Sequence, residues 1–172
     1  MSNVLVLGGT GFVGRSLCAR LVARSGGAAG CVAVATRRAA HAKPVQMLPT
    51  VQVIEANVHE PDALGELVKG RDAVVNLVAI LHGSESQFRQ VHEALPRKLA
   101  QACALHGVRR VVHVSAIGVG DAAPSNYLRS KAAGETVLKA APLDLTLLRP
   151  SVIYGEGDRF LNLFASLQAV LP

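Results

Sequence analysis

Six short runs of Val, Leu, Ile and Ala, each followed by a stretch with helical spacing or a turn, leave this chain few folds to choose from. Val4 to Leu7 is continuously apolar, and Val13, Leu17 and Leu21 then recur at helical spacing before "RSGGAAG" ends the segment. Residues 31–36 ("CVAVAT") and 51–56 ("VQVIEA") predict the second and third strands, and "PDALGELVKG" a short helix opened by Pro61 and closed by Gly70. A fourth strand is predicted over 72–79 ("DAVVNLVA"), then a long helix through "FRQVHEALPRKLAQACALHG" that Pro96 either kinks or effectively starts. The strand "RRVVHVSA" at 109–116, a helix from about Asn126 to Ala140 and the strand "LDLTLLRP" at 143–150 complete the alternation. Continuous apolar runs suit strands buried on both faces. The pattern predicts an α/β fold, a doubly wound parallel sheet with helices on both faces and its ligand at the carboxyl ends of the strands.

A length of 172 residues suits one core, and with 50% hydrophobic but only 3% aromatic residues that core has to be aliphatic. The net charge of +6 would fit a nucleic-acid binder, but Arg15, Arg37, Arg71, Arg109, Lys131 and Arg149 are scattered and lack interleaved aromatics. Nucleic acid is therefore not expected as a partner. Cys18, Cys31 and Cys103 form no CxxC pair and read as small buried hydrophobes of a reducing compartment. The six histidines show no HxxxH or HExxH spacing, so no metal site is expected. With the first strand starting almost at Met1 and no apolar run near the ~20 residues of a membrane span, neither signal peptide nor transmembrane segment is expected. The expected location is cytoplasmic, with peripheral attachment to something larger also compatible. "DRFLNLFASLQAVLP" reads as the opening of a further helix with nothing to pack against, so one domain is expected at 1–155 and the start of a truncated lobe at 156–172.

"LVLGGTGFVG" at 5–14 places Gly8, Gly11 and Gly14 between the first strand and the first helix. There a turn points backbone N–H groups and the positive helix end at a pyrophosphate. Gly8 permits the tight bend, Gly11 lets the backbone approach phosphates, and Gly14 allows close helix packing. The cofactor implied is a dinucleotide. NAD-preferring folds of this kind end the second strand with an acidic residue that holds the ribose 2′-OH. Here "ATRRAAHAK" offers Arg37 and Arg38 and no carboxylate, which favours NADP(H) over NAD(H), because a guanidinium binds a 2′-phosphate bidentately. The alternative is an ordinary solvated basic loop.

Three further residues carry chemistry. Tyr127 and Lys131 in "SNYLRSKAAGE" share a helix face at i and i+4, where a nearby ammonium would favour the phenolate and make the tyrosine a usable acid or base. Ser115 stands at the end of the fifth strand, on the same carboxyl edge.

On these residues the chain resembles the short-chain dehydrogenase/reductase superfamily, in its extended and atypical branches, which are NAD-dependent epimerase/dehydratase-like. "TGFVG" at 10–14 matches the spacing of the family's glycine motif, so the resemblance implies cofactor contacts from Thr10, Gly11, Phe12, Val13 and Gly14. It also implies that Asn57 and Val58 stand where relatives hold the adenine with an acidic and an apolar residue, and that "NLVAI" at 76–80, with Val78 and the small Ala79, lies under the cofactor. Ser115, Tyr127 and Lys131 look like the family's catalytic triad: serine on the substrate carbonyl, tyrosine exchanging the proton, lysine on the nicotinamide ribose. "LRPSVIYGEGD" at 148–158 resembles the segment leading into a substrate lobe.

The stretch "SAIGVGDAAPSNY" is short for a sugar-nucleotide epimerase or dehydratase. Together with "VVNLVAILHG" and "YLRSKAAGE" it looks most like the branch that contains the nucleotide-binding accessory subunit of respiratory complex I and its bacterial relatives. Two functions follow from the resemblance. One is an NADP(H)-dependent oxidoreductase or epimerase acting on a small carbonyl or alcohol. The other is a nucleotide-holding subunit or sensor of a membrane-associated complex at the inner membrane. A homodimer through the two helices flanking the sheet is compatible with either.

Overall fold

The computed structural model describes residues 3–26, 32–155 and 158. The helix expected in "DRFLNLFASLQAVLP" lies, apart from Asp158, outside the described residues, as does Cys31.

Six strands form one parallel sheet: β1 (Val4–Leu7), β2 (Val32–Thr36), β3 (Val51–Glu55), β4 (Ala73–Asn76), β5 (Arg110–Val114) and β6 (Asp144–Leu148), in the order β3-β2-β1-β4-β5-β6. β1 is the hub, with Val4 opposite both Val32 and Ala73. The strand order reverses between β1 and β4, which opens a crevice at their carboxyl ends. Successive β1 side chains enter different cores, as a pleated strand requires. Leu5 and Leu7 pack with Leu64, Leu95 and Leu99 from α3 (Pro61–Val68) and α5 (Leu95–Leu105). Val6 packs with Cys18 and Val22 of α1 (Phe12–Ser25) and with Val45 of α2 (Lys43–Gln46). Helices thus cover both faces, as the alternation predicts.

Three local features differ from the expectation, each for a physical reason. Residues 39–46 form a 3₁₀ turn (Ala39–Ala42) followed by α2, where no helix was expected; the segment is too short for periodicity to register. β4 stops at Asn76, because the Asn76 Oδ1 accepts the Val78 N–H (3.1 Å) and turns the chain out of the ladder. The long helix starts earlier, as α4 (Glu85–Arg89), from a capping box in which Ser84 Oγ accepts the Gln87 N–H (3.3 Å) and Gln87 Oε1 accepts the Ser84 N–H (2.8 Å). Pro96 is the second residue of α5 and so marks the start of that segment, one of the two outcomes expected, while the chain runs into it from α4 without leaving the helix. Lacking an N–H and pressing on the carbonyl four residues back, Pro96 is accommodated by a π turn over Gln90–Ala94 before α5. The carbonyl it frees belongs to His92.

Thr50, just before β3, sits at φ 64°, a left-handed conformation that a β-branched residue tolerates poorly, and its buried Oγ1 makes no hydrogen bond. Thr50→Gly should therefore stabilise the chain by about 1 kcal/mol, the relief of strain and of a desolvated hydroxyl outweighing the added freedom of the unfolded chain. Thermal unfolding measures this, and a lowered Tm would show that the strain is not there.

Candidate functional site

The crevice at the strand-order reversal is a cleft of about 660 Å³, within the range typical of small-molecule sites. Of the residues singled out from the sequence, Gly8, Thr10, Arg37, Arg38, Val58, Val78 and Ala79 line it. Gly8 holds φ 83°, and a Cβ there would come within 3.1 Å of the Leu77 carbonyl carbon, so this bend admits only glycine. Gly14 packs α1 onto the turn: a Cβ would stand 2.3 Å from the Gly8 oxygen. Gly11, Phe12, Val13 and Gly14 make the entry to α1 rather than the cleft wall. No side chain caps this helix start and its first turn carries no acid, so its N–H groups and positive end are available to an anion.

At the other lip, Thr36 and Glu55 shape the loop that carries Arg37 and Arg38. Thr36 Oγ1 donates to the Arg38 carbonyl (3.1 Å), and Glu55 Oε2 accepts the Ala39 N–H (3.0 Å). A carboxylate does reach this loop, from β3 rather than from the loop itself, and it is engaged with backbone. Among the described residues neither guanidinium makes an ion pair. Sequence reasoning missed His59, which also lines the cleft. Burial and then the neighbouring Lys98 and Arg37 push its pKa down, against Glu60, and its Nδ1 has no hydrogen-bond partner. Lys98 Nζ donates to the His59 carbonyl (2.5 Å), adding a cation behind the loop. Asn57, expected at the adenine, points its side chain into the local turn: Oδ1 accepts the His59 N–H (3.1 Å) and Nδ2 donates to Glu60 Oε1 (3.3 Å).

Tyr127, Lys131 and Ser115 lie beyond the end of this cleft rather than in its lining. Ser125 caps α6 (Asn126–Ala140), its Oγ accepting the Leu128 N–H (3.2 Å), and so sets the phase that turns Tyr127 and Lys131 inward. Lys131 Nζ lies 5.7 Å from the centre of the Tyr127 ring and donates to the Val114 carbonyl (3.1 Å). Lys131 is only 2% exposed, and burial lowers its pKa to about 8 despite the opposing pull of Glu135. Burial also raises the Tyr127 pKa, the reverse of the expected shift: the ammonium is drawn to the Val114 carbonyl, and desolvation of the phenolate dominates. Ser115 is 4% exposed, and no hydrogen bond joins its Oγ to Tyr127; its hydroxyl acts instead on Glu135, whose carboxylate it helps to keep ionised.

A buried polar network, unseen in the sequence, joins cleft to helix. The Ile80 N–H donates to His92 Nε2 (3.2 Å), which leaves the proton of this neutral ring on Nδ1, within 2.9 Å of Ser130 Oγ. Ser130 Oγ in turn donates to the Tyr127 carbonyl (2.8 Å), and the His92 ring meets the Tyr127 ring edge-on at 5.4 Å. Asn76 Nδ2 donates to His113 Nδ1 (3.2 Å) on the neighbouring strand. Burial, then Lys131, then the other histidine lower His92 to about 4; burial and Lys131 lower His113 to about 4 as well, against Glu135. Farther along α6, burial works to raise the Glu135 pKa, but Arg149 first, then Ser115 and Lys139, hold it at about 2.

The residues present fit a dinucleotide: a glycine-only bend, an uncapped helix start, a cleft of sufficient size and unpaired cations at its far lip. The comparisons agree. A family model described as NAD(P)H-binding matches residues 8–162. The mitochondrial NADH dehydrogenase (ubiquinone) 1 alpha subcomplex subunit 9 of Mus musculus is 31% identical over 167 residues, covering 94% of this chain and 43% of its own length. Ceramide reductase of Caulobacter vibrioides is 32% identical over 173 residues, 98% of this chain and 53% of its own. The chain thus spans about half the length of the curated relatives it matches. Among solved structures, a dTDP-glucose 4,6-dehydratase from Streptomyces venezuelae with NAD bound superposes with a TM-score of 0.82 at 26% identity, covering 98% of this chain and 62% of that one.

Proposed function

The chain belongs to the NAD(P)H-binding family, and on that premise we propose that it uses NADP(H) in preference to NAD(H) to reduce or oxidise a small carbonyl or alcohol substrate. The observation that carries the preference is the pair of unpaired guanidiniums, Arg37 and Arg38, on a loop held at the cleft by Thr36 and Glu55. A dianionic 2′-phosphate gains charge-assisted hydrogen bonds there that a hydroxyl cannot match. Gly8, Thr10, Gly11, Phe12, Val13 and Gly14 would hold the pyrophosphate, Val58 the adenine side, and Val78 and Ala79 the nicotinamide side, with Asn57 contributing through the turn it builds. When bound, the cofactor supplies a hydride donor or acceptor.

In this proposal Tyr127 gives a proton to the substrate oxygen on reduction or takes it on oxidation. Burial keeps the phenol in its protonated form, the form that donates on reduction. Lys131 would hold the nicotinamide ribose, and Ser115 would orient the carbonyl. The His92–Ser130 network keeps Tyr127 in register with the segment that lines the cleft.

One observation favours a second reading. Ser115 and Tyr127 are not hydrogen-bonded and the phenolate is disfavoured, an arrangement adequate for a nucleotide-holding subunit that performs no turnover. On this reading the partner is a membrane-associated complex like that of the subunit 9 relatives. No described helix is long and apolar enough to cross a membrane.

Calorimetric titration with NADPH and NADH tests the cofactor. NADPH should bind at least tenfold tighter, about 1.4 kcal/mol, and Arg37→Ala should erase the difference. Equal affinities in the native chain would refute the NADP(H) assignment. For the reaction, Tyr127→Phe should keep NADPH affinity within about twofold and lower hydride transfer to a panel of carbonyls by about 100-fold or more. If transfer is absent in the native chain, the nucleotide-holding reading stands; transfer that the substitution leaves unchanged would remove Tyr127 from the reaction.

A further inference from the structure

The formal charge is not evenly shared along the chain. Residues 1–54 contain Arg15, Arg20, Arg24, Arg37, Arg38 and Lys43 and no Asp or Glu; all 12 acids fall beyond, where they balance the remaining cations, so the excess of +6 belongs to the first stretch alone. Ion pairing follows the same division. Among the described residues the pairs join Lys69 to Glu66, Arg89 to Glu85, Arg97 to Glu93, Arg110 to Asp144, and both Lys139 and Arg149 to Glu135, all beyond residue 54. Glu55, the first acid, has its carboxylate on the Ala39 N–H.

These unneutralised cations share one side of the molecule. α1 and α2 pack against the same sheet face, over Val6, Val32 and Val34, and Arg15, Arg20, Arg24 and Lys43 are exposed on them. α1 alone has 14 residues and is about 21 Å long. That reach exceeds what a nucleotide phosphate needs, for which Arg37 and Arg38 at the cleft suffice.

We infer that the outer face of α1 and α2 is an electrostatic docking surface for a bilayer bearing anionic headgroups. A protein partner would be expected to find aromatic or large apolar anchors in well-packed pockets. Between the cations this face offers the small, exposed Ser16, Ala19 and Ala23, and among the described residues the one large apolar side chain exposed nearby is Met47, at 84%. A single-stranded nucleic acid would want stacking aromatics interleaved with the cations, and the aromatic on these helices, Phe12, is half-buried at the start of α1, away from Arg20, Arg24 and Lys43. A headgroup layer needs only a dense negative charge against long flexible cations, each Lys or Arg worth roughly fivefold in partitioning. Such binding is peripheral and screened by salt.

Sedimentation with vesicles tests the inference. At low salt the chain should bind vesicles of phosphatidylcholine with about a third phosphatidylglycerol, not those of phosphatidylcholine alone, and lose this binding at about 0.5 M salt. Arg20→Glu/Arg24→Glu/Lys43→Glu should lower partitioning by about 100-fold. Lys69→Glu/Arg89→Glu/Arg110→Glu, the same change of charge on the paired part of the surface, should lower it by no more than about fivefold. NADPH affinity, unchanged in both, reports an intact fold. Equal binding to the two vesicle types, no binding to the anionic ones, or equal losses in the two variants each overturns the inference.

Discussion

Gly134→Ala should destabilise the chain by about 3 kcal/mol or more, although alanine is the better helix former by about 1 kcal/mol. Gly134 lies on α6 where the helix crosses the π turn, and a Cβ there would stand 1.9 Å from the His92 oxygen and 3.1 Å from its carbonyl carbon. Both atoms are backbone and cannot swing aside, so one of two packed helices has to retreat. α6 would take Tyr127 and Lys131 with it, and whichever helix retreats, the His92–Ser130 contact between them would stretch. Urea unfolding at neutral pH should show a lower midpoint with little change in slope. Because intrinsic propensity and packing have opposite signs here, a gain of stability would mean that α6 does not approach the π turn this closely.

The second large effect is a loss of stability in mild acid. His92 and His113 ionise near 6.5 in the unfolded chain and at about 4 when folded. Between those values the unfolded state binds more protons, so stability falls as the pH is lowered through that window. Each histidine is 3% exposed, and each can withdraw on the order of 3 kcal/mol by pH 4. Protonating His92 Nε2 also turns the acceptor of the Ile80 N–H into a donor, which breaks the tie between cleft and helix. Lys131 contributes a slope of the same sign at the alkaline end: folded it loses its proton near 8, unfolded near 10.5, so stability rises with pH between the two. Unfolding free energies measured from pH 7 to 5 should drop by several kcal/mol, and a His92→Asn/His113→Asn variant should have a flatter profile. Equal stability at pH 7 and 5 in the native chain would refute the neutral-histidine network.

Much of the architecture was legible in local patterns. Val4–Leu7 and Val32–Thr36 announce buried parallel strands because both of their faces are covered, and "GGTGFVG" marks the first strand-to-helix turn because few residues but glycine fit its bend. Charge at the end of β2 was equally readable. Such features depend on neighbours a few positions away. The capping box at Ser84 is local in the same way, with Ser84 and Gln87 three residues apart.

What only the tertiary structure decided involves partners far apart in sequence. Glu55 reaches the Arg37–Arg38 loop across 16 residues, His92 meets Ser130 across 38, and Lys131 reaches the Val114 carbonyl across 17. The spacing of Tyr127 and Lys131 gave their common face, but the direction in which the phenol shifts depends on how much water the fold removes and on what else the ammonium can bind. Periodicity and glycine spacing encode backbone geometry, which is local. Protonation, tautomer and the fit of Gly134 against the His92 carbonyl depend on burial and on contacts that exist only once the helices have closed on the sheet.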